Sequence, residues 1–347
     1  MLKMKAAVLF ELNKPLRIEE LTIPELKEGQ VLVKVAASGI CHSQLNEIKG
    51  KKGPDKFLPH TLGHEGAGII EAIGAGVSKV KKGDHVVLSW IKGKGINASP
   101  PEYYAGKMRI NSGQLSTFSE YTVTAENRVT RIKKEMPLEM AALLGCAVAT
   151  GMGAVMNNAK VSEGDSVAVF GAGGIGLSAI NAAAIQKASI IIAIDVKDEK
   201  LAKARELGAT HTINASKVDV VPTVKEMTGG KGVDHAIESA GLVDTMEKAF
   251  MVVRDNGGRA VIIGNLSHGQ RISIDPFALI CGKQIVGSWG GGTDPERDIP
   301  VYVDLYLSGK LELEKMLTHR FTLGQINDAF AQLEKGETGR AIIDFTI

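Results

Sequence analysis

Three side chains in this sequence are of the types that hold a transition metal. Cys41 lies in Gly39-Ile40-Cys41-His42-Ser43, His64 in Gly63-His64-Glu65-Gly66-Ala67-Gly68, and Cys146 in Leu144-Gly145-Cys146. Two thiolates and one imidazole, with water as a fourth ligand, make a catalytic zinc set, because zinc takes sulfur and nitrogen donors and a catalytic site keeps one position open. Such an ion lowers the pKa of bound water from about 15.7 to about 7, and an alcohol in the same position should respond similarly. Eight or so pKa units correspond to roughly 11–12 kcal/mol, enough to bring an alkoxide within reach of neutral pH. The spacing by itself leaves the matter open. A buried cysteine at 41, a turn histidine at 64 and a core cysteine at 146 would read the same way. Cys281 has no comparable neighbours and reads as structural.

The second chemical feature is a glycine turn. Ser166–Phe170 is a short β-branched apolar run, followed by Gly171-Ala172-Gly173-Gly174-Ile175-Gly176 and then by helix formers from Leu177. Strand, G-x-G-x-x-G and helix in that order form a dinucleotide-binding turn. Gly171 permits the tight bend, Gly173 lets the backbone approach a pyrophosphate, and Gly176 lets helix and strand pack closely. The helix then aims its free N–H groups at the phosphates. A second apolar run, 190–194, ends in Asp195, where the ribose-binding acid belongs. An acid there favours NAD, since it repels a 2′-phosphate. Asp195 could equally cap the helix expected over 198–208.

These groups need elements to position them. Met4–Phe10, Leu16–Leu21, Val31–Ser38, Gly68–Ile73 and His85–Trp90 read as strands separated by turn residues, so the first third is strand-rich. Residues 91–118 show no period and read as a long loop. From about 148 the pattern alternates between strands (166–170, 189–194, 211–214, 234–238, 259–264, 285–288) and helices (174–187, 198–208, 218–227, 242–254). That is the signature of a doubly wound parallel sheet. Ala147–Lys160 reads as one helix joining Cys146 to the glycine turn. Helices over 299–307 and 323–335 and a strand over 341–346 form a tail that completes the first domain.

Composition sets the bounds. With 347 residues the chain can bury two cores. The net charge of +2, from 41 basic and 39 acidic residues, offers no footprint for nucleic acid or a membrane surface. The sequence lacks an 18-residue apolar run and a signal-type start, and its three dispersed cysteines form no disulfide framework. A reducing cytoplasm is the expected setting.

Taken together, GICHS (39–43), GHEGAG (63–68), STFSEYTV (116–123), LGCAVATG (144–151), VFGAGGIGLS (169–178) and AIDVKDEKLAKARELGAT (193–210) resemble the zinc-dependent alcohol dehydrogenases of the medium-chain dehydrogenase/reductase superfamily. The similarity covers nearly the whole length and is nearest to the liver-type and glutathione-dependent formaldehyde dehydrogenase branch. It implies an α/β protein: a GroES-like strand-rich catalytic domain, 1–147 completed by 290–347, and an inserted Rossmann domain, 148–289. It further implies that Cys41, His64 and Cys146 bind the catalytic zinc, with Glu65 beside it as an alternate ligand or support. Ser43 takes the alcohol proton and passes it to the cofactor ribose. Asp195 and Lys200 contact the adenosine ribose, Thr150 and Ile175 flank the nicotinamide, and Arg340 reaches the pyrophosphate. Trp90 and Trp289 align with pocket walls, although either could instead fill the core. Family members are homodimers or homotetramers that join sheets edge to edge, which a sixth strand near 285–290 would suit.

Three departures from the family pattern matter. The four-cysteine lobe of a structural zinc is missing between Trp90 and Ser116, so one zinc per chain is expected. Gln44 stands where an aspartate usually orients the zinc-bound histidine, and Asn46 where the liver-type proton relay ends in a histidine. An amide raises ligand basicity less than a carboxylate, and Asn46 cannot take up a proton. Lys92, Lys94, Lys107 and Arg109, with Tyr103 and Tyr104, make either a solvated face or an entry for an anionic substrate. The expected reaction interconverts an alcohol, polyols and sugar-type hydroxyls included, with its carbonyl through NAD. Two rivals are a zinc-free reductase of the same superfamily and a non-catalytic nucleotide-binding regulatory protein on the same fold.

Overall fold

The computed structural model describes residues 2–267, 269–336 and 339–347. The chain divides into two compact units, one of residues 1–146, 294–308 and 317–347, the other of 147–293 and 309–316. The short segment 309–316, which the sequence reading gives to the tail, returns to the inserted unit.

The first unit begins with β1 (Lys3–Leu9), β2 (Arg17–Thr22), β3 (Gln30–Gly39), β4 (His60–Thr61) and β5 (Glu65–Ile73). It continues with β6 (His85–Ser89), β7 (Tyr103–Ala105), β8 (Met108–Ile110), β9 (Tyr121–Ala125) and β10 (Val129–Arg131). The inserted unit supplies β11 (Ser166–Phe170), β12 (Ile190–Asp195), β13 (His211–Asn214), β14 (His235–Glu238), β15 (Arg259–Ile262) and β16 (Gln284–Gly287). β17 (Leu317–Phe321) and β18 (Arg340–Asp344) then rejoin the first unit.

In the first unit one sheet runs β4-β1-β2-β7-β8 and a second runs β10-β6-β5-β3-β18-β17, with β9 also on β3. The late strand β18 pairs antiparallel with β3, setting Ile342 opposite Gly39. Beneath this junction Ile40, Leu45, Leu62, Phe118, Phe330 and Ile343 share one buried cluster. The rings of Phe118 and Phe330 meet edge to face with centroids 5.8 Å apart. Each such side chain contributes about 1.5–3 kcal/mol by leaving water, and Ile40 and Leu45 flank Cys41, so the core fixes that segment.

The inserted unit is a parallel sheet in the order β13-β12-β11-β14-β15-β16. Its central strand β11 is buried at every position, as expected where helices cover both faces. β16 is the edge. Among the described residues no single helix is long and apolar enough to cross a membrane.

Three local readings need correction. Residues 91–118 are not all loop: β7 and β8 form a hairpin that joins β2. Tyr103 and Ile110 turn inward, and the Tyr103 hydroxyl accepts the Val123 N–H at 2.9 Å. Two three-residue strands are too short to display a period. The 147–160 run is α-helical over Ala147–Gly153 and widens to a π-helix over Ala154–Ala159, ending at Lys160 in the left-handed region. Finally, the helix Asp198–Glu206 is capped by Lys197, not by Asp195.

Candidate metal centre and dinucleotide turn

The metal centre is built by strand register. Ser38 near the end of β3 faces Gly66 at the start of β5, which brings Cys41 and His64 together. Glu65 faces Ser89 at the end of β6, and the Ser89 hydroxyl donates to the Gly145 carbonyl at 2.7 Å, holding Cys146 at the same corner. The Cys41 and Cys146 sulfurs and a His64 ring nitrogen all lie within 4.8 Å of one another. Two glycines allow this crowding. A Cβ on Gly39 would stand 2.5 Å from the Glu65 carboxyl, and one on Gly145 would stand 2.2 Å from the Leu88 carbonyl.

Electrostatics at this corner favour a cation. Hydrogen bonding from Cys146, with help from His64 and Arg340, holds the Cys41 thiol well below its ordinary pKa although burial opposes it. Cys146 is correspondingly pushed up, first by its bond to Cys41 and then by burial. Burial would lower His64, but the Cys41 sulfur beside it turns the net shift upward. His64 Nε2 is buried and has no hydrogen-bond partner. Two sulfurs and an unpartnered imidazole nitrogen, one sulfur already inclined to the thiolate, fit a zinc ion in donor type and reach.

Glu65 is fully buried and paired with Arg340, whose other terminal nitrogen donates to the Ile40 carbonyl at 3.1 Å. Burial raises the Glu65 carboxyl, with Arg340 opposing. Arg340 is held above its usual value by Glu65 and the two sulfurs, against burial. The engagement visible for Arg340, expected at a pyrophosphate, is thus with Glu65 behind the cysteines. The Ser43 hydroxyl donates to Cys41 Sγ at 3.5 Å. Gln44 does not meet His64 through its carbonyl as expected: that oxygen accepts the Cys41 N–H at 3.2 Å, capping the helix His42–Ile48, and its Nε2 is left without a partner. Trp90 donates its backbone N–H to the His64 carbonyl at 3.0 Å.

A cavity of about 580 Å³ in the first unit reaches His64 and Gln44. Its polar wall includes Glu47, Lys52, Asp55 and His60, none of which the sequence singles out. A charged turn, Lys49–Lys56, was the available signal. Lys92, Lys94, Lys107 and Arg109 do not line this cavity, and Arg109 pairs with Glu102 at 2.9 Å.

In the inserted unit Gly171 has φ +88° and bends the chain out of β11. A Cβ on Gly176 would fall 1.8 Å from the Gly171 carbonyl, so only glycine fits. Among the described residues nothing lies within 4 Å of a Cβ on Gly173, which leaves that backbone open to a ligand. Gly174 begins the helix Gly174–Ile185, whose cap Gly173 offers no side chain, so its first N–H groups are unclaimed by a side-chain cap. Ile175 lies in its first turn and presses its carbonyl against Gly151. The Asp195 carboxylate accepts from Ala172 N at 2.8 Å and from Val196 N and Lys197 N. Lys200 lies in the following helix. Thr150 is buried with its hydroxyl unpartnered. Trp289 is 80% exposed at the end of β16, which excludes a core-filling role.

Comparison with known proteins agrees with this geometry. Residues 27–134 match the alcohol dehydrogenase GroES-like domain and residues 174–308 the zinc-binding dehydrogenase domain. The chain is 38% identical to S-(hydroxymethyl)glutathione dehydrogenase of Synechocystis sp., covering 99% of this chain and 100% of that one. An alcohol dehydrogenase zinc-binding domain protein from Burkholderia ambifaria has the same fold, with a TM-score of 0.93, 34% identity and 99% of each chain covered. A benzyl alcohol dehydrogenase from Acinetobacter calcoaceticus matches with a TM-score of 0.91, 34% identity and the same coverage.

Proposed function

Since the chain belongs to the zinc-binding alcohol dehydrogenases of the medium-chain dehydrogenase/reductase superfamily, we propose that it interconverts an alcohol and its aldehyde or ketone using one catalytic zinc and NAD. The observation that carries this reading is the convergence of Cys41, His64 and Cys146 within 4.8 Å, with His64 Nε2 unpartnered. A zinc ion held there would act as a Lewis acid on the substrate oxygen, and NAD would accept or return the hydride.

The chain's own residues do the rest. The Ser43 hydroxyl relays the alcohol proton, accepting it at Oγ while releasing its own O–H proton toward the cofactor ribose. The Glu65–Arg340 pair sets the field behind the sulfurs, because a guanidinium near two thiolates offsets part of their charge. Gly173 and the start of the helix Gly174–Ile185 receive the pyrophosphate, Asp195 and Lys200 the ribose, and Thr150 and Ile175 flank the nicotinamide. An acid at 195 selects NAD over NADP. The cavity walls Phe57, Leu62 and Leu115 suit an alcohol with a sizeable apolar body, in line with the benzyl alcohol named for one relative. The unpaired edge of β16, flanked by exposed Phe277 and Ile280, supports pairing with a second copy of the chain.

Metal analysis of purified protein, with NADH absorbance followed against a panel of alcohols and aldehydes, tests the reading. Cys41→Ser and His64→Ala should lose both zinc and turnover. Full activity without metal would point to the zinc-free reductases, and zinc with NAD binding but no turnover on any substrate to a regulatory protein.

A further inference from the structure

A second group of ligand-type side chains lies in the first unit, apart from the cysteines. Glu47 in the last turn of the helix His42–Ile48, Asp55 in the turn that follows and His60 on β4 bring one oxygen or nitrogen each within 4.8 Å of one another. His60 Nε2 is 2.8 Å from Asp55 Oδ2 and 4.0 Å from Glu47 Oε1. His60 is nearly buried, while the two carboxylates are partly open to the cavity that also reaches His64.

The orientation of the imidazole suits a cation at this point. His60 Nδ1 is 3.0 Å from the Thr61 carbonyl, which can only accept, so Nδ1 carries the proton. A neutral ring then presents the lone pair of Nε2 to the Asp55 carboxylate, and two such groups repel at 2.8 Å. Something positive must lie between them, either a second proton or a metal ion. A ring whose other nitrogen donates to a backbone carbonyl is the usual setting of a metal-bound histidine. Glu47 Oε1 faces the same point, whereas Lys52 engages Glu47 Oε2 at 2.9 Å. The cavity beside the group leaves room for water or a substrate oxygen to complete the coordination.

We propose that Glu47, Asp55 and His60 form a second divalent-cation site, distinct from the cysteine centre. One imidazole and two carboxylates suit a borderline first-row ion such as cobalt, manganese or zinc, and lack the sulfur that a soft ion would require. Lys52 competes for Glu47, so the site binds more weakly than the thiolate centre and is lost first on dialysis.

Protein holding one zinc per chain is titrated with Co2+ by calorimetry and visible absorption. One further equivalent should bind, giving weak ligand-field bands without a sulfur-to-cobalt charge-transfer band. That band reports the thiolate centre separately, so failure of this site and failure of the zinc reading are distinguishable. Asp55→Asn and His60→Gln should each weaken the added equivalent at least about tenfold, with zinc content and circular dichroism unchanged. Lys52→Gln should tighten it. Absence of a second equivalent in both the wild type and Lys52→Gln would overturn the proposal. So would binding that Asp55→Asn and His60→Gln leave unaltered.

Discussion

The Glu65–Arg340 pair gives a demanding test because its two single substitutions should not be equivalent. Glu65 is fully buried and the Arg340 side chain is 5% exposed. Removing one partner of a buried pair costs about 3–5 kcal/mol, chiefly because the other charge is left in low dielectric. In Glu65→Gln the guanidinium keeps the Ile40 carbonyl and the nearby sulfur of Cys41, which also favours its charge. The loss should sit near the lower limit, about 3 kcal/mol. In Arg340→Met the carboxylate is left facing the Cys41 sulfur, which opposes its ionisation. That loss should reach about 4–5 kcal/mol. The double substitution removes both charges and should cost about 2 kcal/mol or less, since apolar replacement of a buried pair is often nearly neutral. At roughly 2–4 °C per kcal/mol for a unit of this size, the singles lower the melting temperature by about 6–20 °C. Calorimetric melting of all four proteins, each with its zinc content measured, supplies the double-mutant cycle. Strict additivity of the two substitutions, or an Arg340→Met loss below about 1 kcal/mol, would refute the reasoning.

The glycine turn gives a paired outcome: Gly176→Ala, with its Cβ 1.8 Å from a carbonyl, should cost about 3 kcal/mol of stability, the upper end of the usual range for core overpacking. Gly173→Ala, with nothing within 4 Å, should leave the melting temperature unchanged yet weaken NADH at least about tenfold by fluorescence titration. Asp195→Ser removes the charge that repels a 2′-phosphate and should move the ratio of NAD to NADP dissociation constants roughly tenfold or more toward NADP. Burial would raise the Asp234 carboxyl, but hydrogen bonds from Ser166 and Arg254 bring it down to about 2. Its contribution is therefore present above about pH 4 and lost as pH falls through about 2, about 1 kcal/mol once solvent screening is allowed for. Urea midpoints of Asp234→Asn between pH 4 and 2 should be flatter than those of the wild type by that amount.

Much of this is legible in the sequence alone. The alternation of strands and helices over 166–288 and the turn at Gly171–Gly176 follow from local rules, since β11 and β12 are apolar runs bounded by turn residues and the segments between strands are rich in helix formers. The cysteine–histidine centre was legible only as a set of residue types. Its assembly depends on Ser38 facing Gly66 and Glu65 facing Ser89, pairings between segments that carry no mark of each other. The hairpin β7–β8 escaped notice for lack of length, and the π widening at Ala154 for lack of any compositional sign. The wall formed by Glu47, Asp55 and His60 was missed because a helix turn, a loop and a two-residue strand contribute one residue each. Gln44 was expected to face His64; its oxygen instead satisfies the backbone N–H of Cys41, a capping role that depends on the helix beginning at His42.

The pairing of β18 with β3 has a consequence for biosynthesis. The strand bearing Arg340 follows Cys146 by nearly two hundred residues. At ribosomal speeds of about 5–20 residues per second, roughly 10 to 40 seconds pass between the emergence of Cys146 and that of Arg340. During this interval the nascent sheet lacks its closing strand, and the Glu65 carboxyl lacks its counter-ion. The contiguous stretch 147–293 can form its six-stranded sheet in the meantime, and the inserted unit is complete once 309–316 has emerged. If Cys41, His64 and Cys146 hold zinc as proposed, the surroundings of the site are completed only when β18 joins β3, and until then its thiols are open to oxidation.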